Sequence, residues 1–326
     1  MNGMGEILFY AEQSGTGFHR VTLELAALGR RLADQTGALL SAAAFDPDLA
    51  EALIGYGADQ VYLVQGPEFK DYHPEAHAAA LEQICQTGPI GLALFGHTLQ
   101  GVDLAPRLAW RLKAAVFTDC LDFKTEAETK KILVERPVYG AKALALMTAS
   151  DAPMVATLRN KAVAPACLDE TRTGRIVPFE VELKPETLRL KLIERVREES
   201  QGPKLEEAAI IISGGRGLGG KENFALLEEL ARLLGGAVGG SRVAIDNGWL
   251  PSSRQVGLTG TIVSPRLYVA VGISGATQHM AGCASSECIV AINKDPDAPI
   301  FQRAHFGVVR DCKQLLPKLI ELFKSD

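Results

Sequence analysis

Side chains that could hold a phosphorylated ligand are concentrated in the last third of the chain. Arg216 lies in the glycine-rich run GGRGLGG at residues 214–220, between an apolar segment and a helical pattern. Glycines let backbone amides approach a phosphate, and arginine adds a fixed cation that can form a bidentate bond. The spacing departs from the dinucleotide fingerprint, and no acidic residue is well placed to bind a ribose. The run predicts either a pyrophosphate site or a tight turn with a solvated arginine.

Two further glycine-rich turns follow in the same part of the chain. Ser241 belongs to GGAVGGSR at residues 235–242, and Thr259 belongs to QVGLTG at residues 255–260. Each turn places a hydroxyl among glycines. Several such turns close together favour one extended ligand, such as a dinucleotide, over separate small sites.

A fourth turn, GISG at residues 272–275, joins a predicted strand over 267–271 to a predicted helix over 276–281, which Gly282 would end. A second apolar strand is predicted over 288–293. Ligands of open parallel sheets bind beyond the carboxyl ends of the strands, so polar residues there are candidates for one site. These candidates are Ser274, Gln278, His279, Asn293 and, after a later strand, Asp311.

Strand-forming and helix-forming patterns alternate in the first part of the chain, from residue 6 to residue 123, which predicts a parallel sheet with helices on both faces. A turn at Gly96, His97, Thr98 and Gly101 could bind a small anion. Later short apolar runs predict antiparallel strands that complete this domain. These runs cover residues 131–134, 143–147, 154–158 and 176–181.

Residues 184–204 are rich in charge and bracketed by Pro185 and Pro203, as expected for a linker. We therefore predict two α/β domains, 1–200 and 201–326, each a mostly parallel sheet flanked by helices, the second Rossmann-like. A length of 326 residues is enough for each domain to bury its own core.

Composition narrows the classes of partner. Hydrophobic residues make up 47% and charged residues 22%, the balance of a folded globular protein. A net charge of −5 without any basic run argues against nucleic acid and anionic membranes. Apolar runs fall far short of the roughly 18 residues of a membrane helix, so no membrane insertion is expected. The first residues, MNGMGEILFYAEQ, have neither the basic segment nor the long apolar core of a signal peptide, so we expect a cytoplasmic protein.

Six cysteines are scattered without a C-x-x-C pair or a histidine at metal-binding spacing, so no metal site is expected. The second domain also lacks a nucleophile–base pair, which argues against a substrate-transforming active site. Two other functions remain open from these residues. One is a nicotinamide-dependent oxidoreductase, and the other is a nucleotide-sensing module built on the first domain.

The runs LYVAVGISGATQHMAG and IVAINKDPDAPIF, with SGGRG, GGSR and QVGLTG, resemble the α subunit of electron transfer flavoproteins. The stretch DLAPRLAWRL at residues 103–112 extends the resemblance into the first domain. It implies a heterodimer in which the first domain contacts a β subunit and the second binds one FAD. AMP or a second FAD would lie in the β subunit. Electrons would pass from an acyl-CoA dehydrogenase, another dehydrogenase or NADH to a downstream oxidoreductase, as in fatty acid oxidation, and the complex would be either a simple carrier or an electron-bifurcating one.

The resemblance also implies a set of FAD-binding residues and no catalytic or metal-ligating ones. The Thr259 hydroxyl would lie near flavin N5, and His279, protonated or as a neutral donor, near the C2 oxygen. Asn293 and Asp311 would hold the adenosine end. Leu258 replaces a common glutamine and Thr261 a common lysine. The implied set is Arg216, Ser241, Arg242, Gln255, Val256, Gly257, Thr259, Gly260, Ser274, Gly275, Ala276, Gln278, His279, Asn293 and Asp311.

Overall fold

The protein is described by a computed structural model that covers residues 5–15, 17–139, 143–149, 153–184, 188–194 and 203–325. The chain forms two compact units, Met1–Arg195 and Val196–Asp326, called unit 1 and unit 2 below. The domain boundary predicted near residue 200 lies outside the described residues. No helix in the described part of the chain is both long and apolar enough to cross a membrane.

Unit 1 is an alternating α/β structure. Its elements are β1 (Glu6–Tyr10), β2 (Gln13–Ser14), β3 (Gly17–Phe18), α1 (Arg20–Thr36), β4 (Leu39–Ala44), α2 (Pro47–Gly55), β5 (Gln60–Val64), α3 (Pro74–Thr87), β6 (Ile90–Gly96), α4 (Leu99–Leu112), β7 (Ala115–Cys120), β8 (Asp122–Thr125), β9 (Ile132–Val138), β10 (Ala143–Met147), β11 (Met154–Leu158) and β12 (Arg175–Phe179). Side chains point to both faces of a strand, and all five residues of β1 are buried. The sheet that contains β1 is therefore covered on both faces at this strand, as the sequence predicted for a parallel sheet.

The main sheet of unit 1 has the strand order β12-β5-β4-β1-β6-β11-β7, and its described pairings are all parallel. A second, smaller sheet is antiparallel and has the strand order β10-β9-β8, and its strand β8 directly follows β7 in the chain. The order reverses direction between β1 and β6, the arrangement of a doubly wound fold.

The prediction of antiparallel strands was right for β9 and β10 and wrong for β11 and β12. β11 is inserted between β6 and β7 in parallel, and β12 extends the opposite edge beside β5, also in parallel. A short apolar run does not reveal its partner, because pairing is decided by contacts distant in sequence. The full burial of β11 is what a central strand of a parallel sheet requires.

Unit 2 repeats the parallel architecture on a smaller scale. Its elements are β13 (Ile210–Gly214), α5 (Phe224–Leu233), β14 (Ala237–Gly240), α6 (Arg242–Asp246), β15 (Leu267–Val271), α7 (Thr277–Cys283), β16 (Cys288–Asn293), β17 (Phe306–Val309) and α8 (Cys312–Ser325). The strand order is β14-β13-β15-β16-β17, with parallel pairing between neighbours. The carboxyl ends of these strands therefore meet at one edge, where the predicted glycine turns lie.

Candidate functional site

A cavity of about 650 Å³ opens at the carboxyl ends of β13, β14, β15 and β16 in unit 2. Its volume is that of a site for a small molecule or cofactor. The structure brings most of the sequence-predicted site residues into its lining. Those residues are Arg216, Ser241, Arg242, Gln255, Val256, Gly257, Thr259, Ser274, Ala276, Gln278, His279 and Asn293.

Three predicted residues, Gly260, Gly275 and Asp311, do not line this cavity. The Asp311 carboxylate accepts the backbone N–H of Lys313 at 2.9 Å, at the beginning of α8, and so acts as a helix cap. Gly275 and Gly260 shape the neighbouring loops, and the Gly260 N–H donates to the Gly257 carbonyl at 3.0 Å. The expected role of Asp311 at the adenosine end stays a prediction.

Other lining residues were absent from the predicted set. Lys294 and Asp295 directly follow Asn293 at the end of β16, so the strand-end rule could have identified them. The rest belong to turns or, for Val243, to helix α6, and their approach to the cavity depends on packing. The additional residues are Gly217, Val243, Leu258, Gly272, Ile273, Lys294, Asp295, Ala298 and Pro299.

The floor of the cavity depends on close backbone contact between the turns after β13 and β15. The Gly217 N–H donates to the Gly272 carbonyl at 2.9 Å. A Cβ at Gly217 would lie 2.7 Å from the Gly272 Cα, and Gly272 itself has a φ of +61°. Both positions therefore need glycine, Gly217 for the contact and Gly272 also for its left-handed backbone.

Helix α7 also contacts the loop of residues 255–260 through closely spaced backbone atoms and a backbone hydrogen bond. A Cβ at Gly282 would lie 2.4 Å from the Gly257 Cα, and the Leu258 N–H donates to the Gln278 carbonyl at 2.8 Å. The prediction that Gly282 ends this helix was wrong, because α7 continues to Cys283 and Gly282 is buried within it. This position of α7 needs glycine, because a side chain would prevent the backbone of the loop from packing against the helix.

Hydroxyl and amide groups on this loop are already oriented. The Gln255 amide Nε2 donates to the Thr259 Oγ1 at 3.0 Å. A threonine hydroxyl that accepts this bond keeps its own hydrogen for another partner. Thr259 can therefore donate a hydrogen bond to a ligand in the cavity.

The Asn293 side chain is used within the fold. Its Nδ2 donates to the Ile273 carbonyl at 3.0 Å, and its Oδ1 accepts the Asp295 N–H at 3.1 Å. These bonds join the end of β16 to the turn after β15. Asn293 lines the cavity, but most of its hydrogen-bonding groups are used to hold the neighbouring backbone in place.

Cationic side chains give the cavity a preference for anions. Arg216 is exposed and makes no ion pair with any residue that the structure describes. The Arg242 Nε lies 3.4 Å from the Asp246 carboxylate, but both side chains are well exposed, so this pair contributes little. Both guanidinium groups can therefore turn to a phosphate, for which their planar fork is suited.

His279 is the most constrained polar group of the cavity. Its side chain is 7% exposed, its Nε2 lies 2.9 Å from the Tyr268 hydroxyl oxygen, and its buried Nδ1 has no hydrogen-bond partner in the described residues. Burial lowers the pKa of His279 to about 4, and the Val256 carbonyl, which lies near the ring without completing a hydrogen bond, opposes the shift. His279 is therefore neutral at pH 7, which favours the neutral donor over the protonated form among the two expected roles.

The neutral state of His279 predicts acid sensitivity of unit 2. The ordinary pKa of histidine is about 6.5, and it falls to about 4 in the fold. Protons therefore bind preferentially to the unfolded chain. The stability that neutral His279 contributes is complete above pH 6.5 and is lost as the pH falls towards 4, by about 3 kcal/mol.

We expect the His279→Gln variant to show a correspondingly smaller decrease in unfolding free energy between pH 7 and pH 4. Trp249 in unit 2 reports unfolding in a Trp110→Phe background, which removes the second of the two tryptophans. Subtracting the variant from the parent cancels other titrating groups, including buried His77 of unit 1, whose pKa burial also lowers to about 4. Equal pH dependence in the two proteins would refute the neutral buried state.

A flavin adenine dinucleotide satisfies the needs of this donor set. It has acceptor atoms for the Thr259 hydroxyl and phosphates for the two arginines. The glycine contacts keep the walls of an elongated cavity open where side chains would fill it. Among the described residues no cluster of three or more His, Cys, Asp or Glu side chains is placed to hold a metal ion.

The fold and the site define an α/β protein with a Rossmann-like nucleotide-binding unit. The electron transfer flavoprotein domain model matches residues 7–184, and the electron transfer flavoprotein FAD-binding domain model matches residues 204–284. The chain belongs to the electron transfer flavoprotein family, as the resemblance implied. It is an α subunit, an electron carrier rather than an enzyme.

Relatives match the chain over almost its whole length. The electron transfer flavoprotein subunit alpha of Thermoanaerobacterium thermosaccharolyticum is 40% identical over 329 residues, covering 100% of this chain and 99% of that protein. The subunit of the same name from Bacillus subtilis is 38% identical, covering 94% and 93%. Protein FixB of Clostridium saccharobutylicum is also 38% identical, covering 97% and 95%.

Proposed function

We propose that the cavity of unit 2 binds one FAD and that the chain, paired with a β subunit, carries electrons between two other proteins. When bound, FAD can accept and release electrons singly or in pairs, which is the chemistry that a carrier requires. The observation that carries the proposal is a cavity of about 650 Å³ at the carboxyl ends of four parallel strands, lined by Arg216, Arg242 and Thr259. Cationic side chains and a hydroxyl donor at such a strand edge suit an elongated phosphorylated ligand.

Each part of the lining would have a separate task. Arg216 and Arg242 would hold the phosphates. The Thr259 hydroxyl would donate a hydrogen bond to an acceptor atom of the isoalloxazine ring, and His279 would lie near its C2 oxygen. Donors fixed by the fold stabilise negative charge on a neighbouring group without reorganisation, so they would favour electron uptake. Leu258 is 60% exposed at the cavity and would cover one side of the ligand.

We propose that residues 1–200 contact the β subunit. Support comes from apolar side chains of unit 1 that the described chain leaves exposed. Leu144 and Leu146 of β10 are 59% and 55% exposed, β10 is the edge strand of its sheet, and Trp110 of α4 is 86% exposed. Exposed apolar groups and aromatic residues are typical of protein interfaces. The β subunit would hold AMP or, in an electron-bifurcating complex, a second FAD.

The electron donor would be an acyl-CoA dehydrogenase, another dehydrogenase or NADH, and the acceptor a further oxidoreductase, with fatty acid oxidation as one setting. The proposed location is the cytoplasm.

A nucleotide-sensing unit 1 is less well supported. The turn that could have bound an anion is occupied by the chain itself, because the Thr98 Oγ1 donates to the buried Glu12 carboxylate at 2.5 Å. Thr98 also accepts the Gly101 N–H at 3.0 Å as the cap of α4. A second anion would be repelled by Glu12 at this position.

The proposal is tested by producing the chain together with a β subunit and recording its visible spectrum. We expect a yellow complex with flavin absorption bands, one FAD in the α subunit, and reoxidation of the reduced complex by an added electron acceptor. Counting cofactors in the complex, as two FAD or as one FAD with AMP, separates the bifurcating type from the simple carrier. A colourless complex that retains no FAD would contradict the proposal, and hydride exchange with a bound nicotinamide would favour the oxidoreductase instead.

A further inference from the structure

The two edges of the sheet of unit 2 are covered to different extents by the chain itself. At the β14 edge, the Val256 N–H donates to the Gly240 carbonyl at 2.9 Å, and Gln255 forms a bridge with Gly240. The loop of residues 255–260 therefore covers the carboxyl end of that edge. At the other edge, β17 pairs in parallel with β16 on one side and with no described strand on the other. The outer side of β17 is therefore open to a further strand.

The side chains of β17 do not protect this open edge. Phe306 and Val309 are 65% and 50% exposed, and Gly307 between them is exposed as well. Soluble proteins commonly block an open edge with a charged side chain or a proline, and the strand sequence FGVV has neither. An open edge with exposed apolar side chains favours the addition of a strand from another chain.

Positive charge flanks β17 on both sides in the sequence. Arg303 and Arg310 are exposed, and neither makes an ion pair with a residue that the structure describes. No aspartate or glutamate occurs in residues 298–310, although the whole chain has a net charge of −5. His305 is used within the fold, because its Nδ1 accepts the Ile289 N–H at 2.9 Å. The two arginines therefore give this edge a positive charge that the stretch itself does not neutralise.

Two kinds of occupant of the edge differ in charge. A second copy of this chain would pair β17 with β17 and place four arginines around two short strands, without a carboxylate from residues 298–310 between them. Like charges so arranged repel each other. An acidic segment would neutralise Arg303 and Arg310 while its backbone completes the hydrogen bonds of the edge. Charge complementarity therefore favours the acidic segment over the second copy.

We propose that the open edge of β17 is the docking site for an extended, acidic segment of a partner protein, which adds a further strand to the sheet of unit 2. β17 is only four residues long, so the contact is small and is expected to be weak and short-lived. In the carrier proposed above, such a contact would hold an electron donor or acceptor for one exchange and then release it. That use rests on the proposed function, whereas the open edge is a property of the chain.

Binding is tested on the complex of the full chain with a β subunit, and the probe is an end-capped peptide in which glutamate and valine alternate. We expect the peptide to bind, to slow the hydrogen exchange of backbone amides in β17, and to lose affinity when salt is added. The same peptide with lysine in place of glutamate should not bind. Unchanged exchange in β17 with excess peptide, or equal binding of the lysine peptide, would overturn the proposal.

Charge reversal tests the part played by the two arginines. We expect the double variant Arg303→Glu/Arg310→Glu to bind the glutamate peptide at least about tenfold more weakly. Arg232→Glu/Arg266→Glu is the matched control, because both are exposed arginines of unit 2 outside this edge and the change in net charge is the same. An equal loss in the control would show that net charge governs binding and would refute the proposal.

The same preparations reveal any other occupant of the edge. If the β subunit itself slows exchange in β17 relative to the chain alone, the β subunit is the occupant. If sedimentation shows a dimer of the complex that Phe306→Ser dissociates, a second copy is the occupant. Either result would overturn the proposal. A complex that binds the glutamate peptide at β17 but holds no FAD would contradict the proposed function and leave the docking site standing.

Discussion

Replacing Gly282 with alanine is expected to lower the free energy of unfolding of unit 2 by about 2 to 3 kcal/mol and to abolish stable flavin retention. The added Cβ would lie 2.4 Å from both the Cα and the N of Gly257. These are backbone atoms and cannot rotate aside. The loop of residues 255–260 would have to leave α7, breaking the 2.8 Å bond from the Leu258 N–H to the Gln278 carbonyl.

The loss would arise from this contact and not from the helix itself. Gly282 is not one of the described glycines with a positive φ, so its backbone conformation is open to alanine. Alanine favours a helix over glycine by about 1 kcal/mol. Gly17→Ala is the control, because a Cβ there meets no heavy atom within 4 Å. Denaturant unfolding followed through Trp249, with flavin content of the purified complex, measures both effects. Stability and flavin content equal to those of Gly17→Ala would show that the loop tolerates displacement.

The Arg216→Gln substitution is expected to weaken FAD binding about 10- to 100-fold, the loss of one or two charge-assisted bonds to phosphate. Arg216 lines the cavity on the turn after β13, and its charge is not neutralised by a described ion pair. Glutamine keeps polarity and much of the length but lacks the charge. Arg216→Lys should have an intermediate effect, because it keeps the charge without the planar fork.

The measurement is a titration of flavin-free protein with FAD at two salt concentrations. Added salt should reduce the difference between Arg216→Gln and wild type, because screening weakens the exposed charge. Arg232→Gln is the matched control, since Arg232 is an exposed arginine of α5 outside the cavity lining. If Arg232→Gln lost as much affinity as Arg216→Gln, the effect would be one of net charge and the assigned role would be wrong.

Local sequence patterns predicted most of the parallel framework. The strands Leu267–Val271 and Cys288–Asn293 were predicted with the bounds that the structure shows. Each is a compact apolar run ended by a turn residue, and such strands carry their own signal. The parallel placement of β11 and β12 was missed because partner choice depends on tertiary contacts.

The site was predicted less completely, for a related reason. Glycine turns at strand ends located the cavity, since ligands of parallel sheets bind there. The sequence could not show that Asp311 caps α8, that Asn293 uses its amide inside the wall, or that Gly282 meets Gly257. Each of these depends on the distance between two segments, which residue type alone does not specify.

The same limit applied to the protonation state of His279. Its type predicted a donor beside the flavin, but burial in the fold, which lowers the pKa, makes it neutral. The 2.9 Å contact of its ring with the Tyr268 hydroxyl likewise depends on the packing of α7 against β15.

The position of FAD in a structure of the flavin-loaded complex tests the central claim most directly. We predict one FAD in the cavity of unit 2, with an acceptor atom of the isoalloxazine ring within hydrogen-bond distance of the Thr259 Oγ1 and the phosphates within reach of Arg216. FAD bound elsewhere on the chain, or phosphates that do not approach Arg216, would contradict the account.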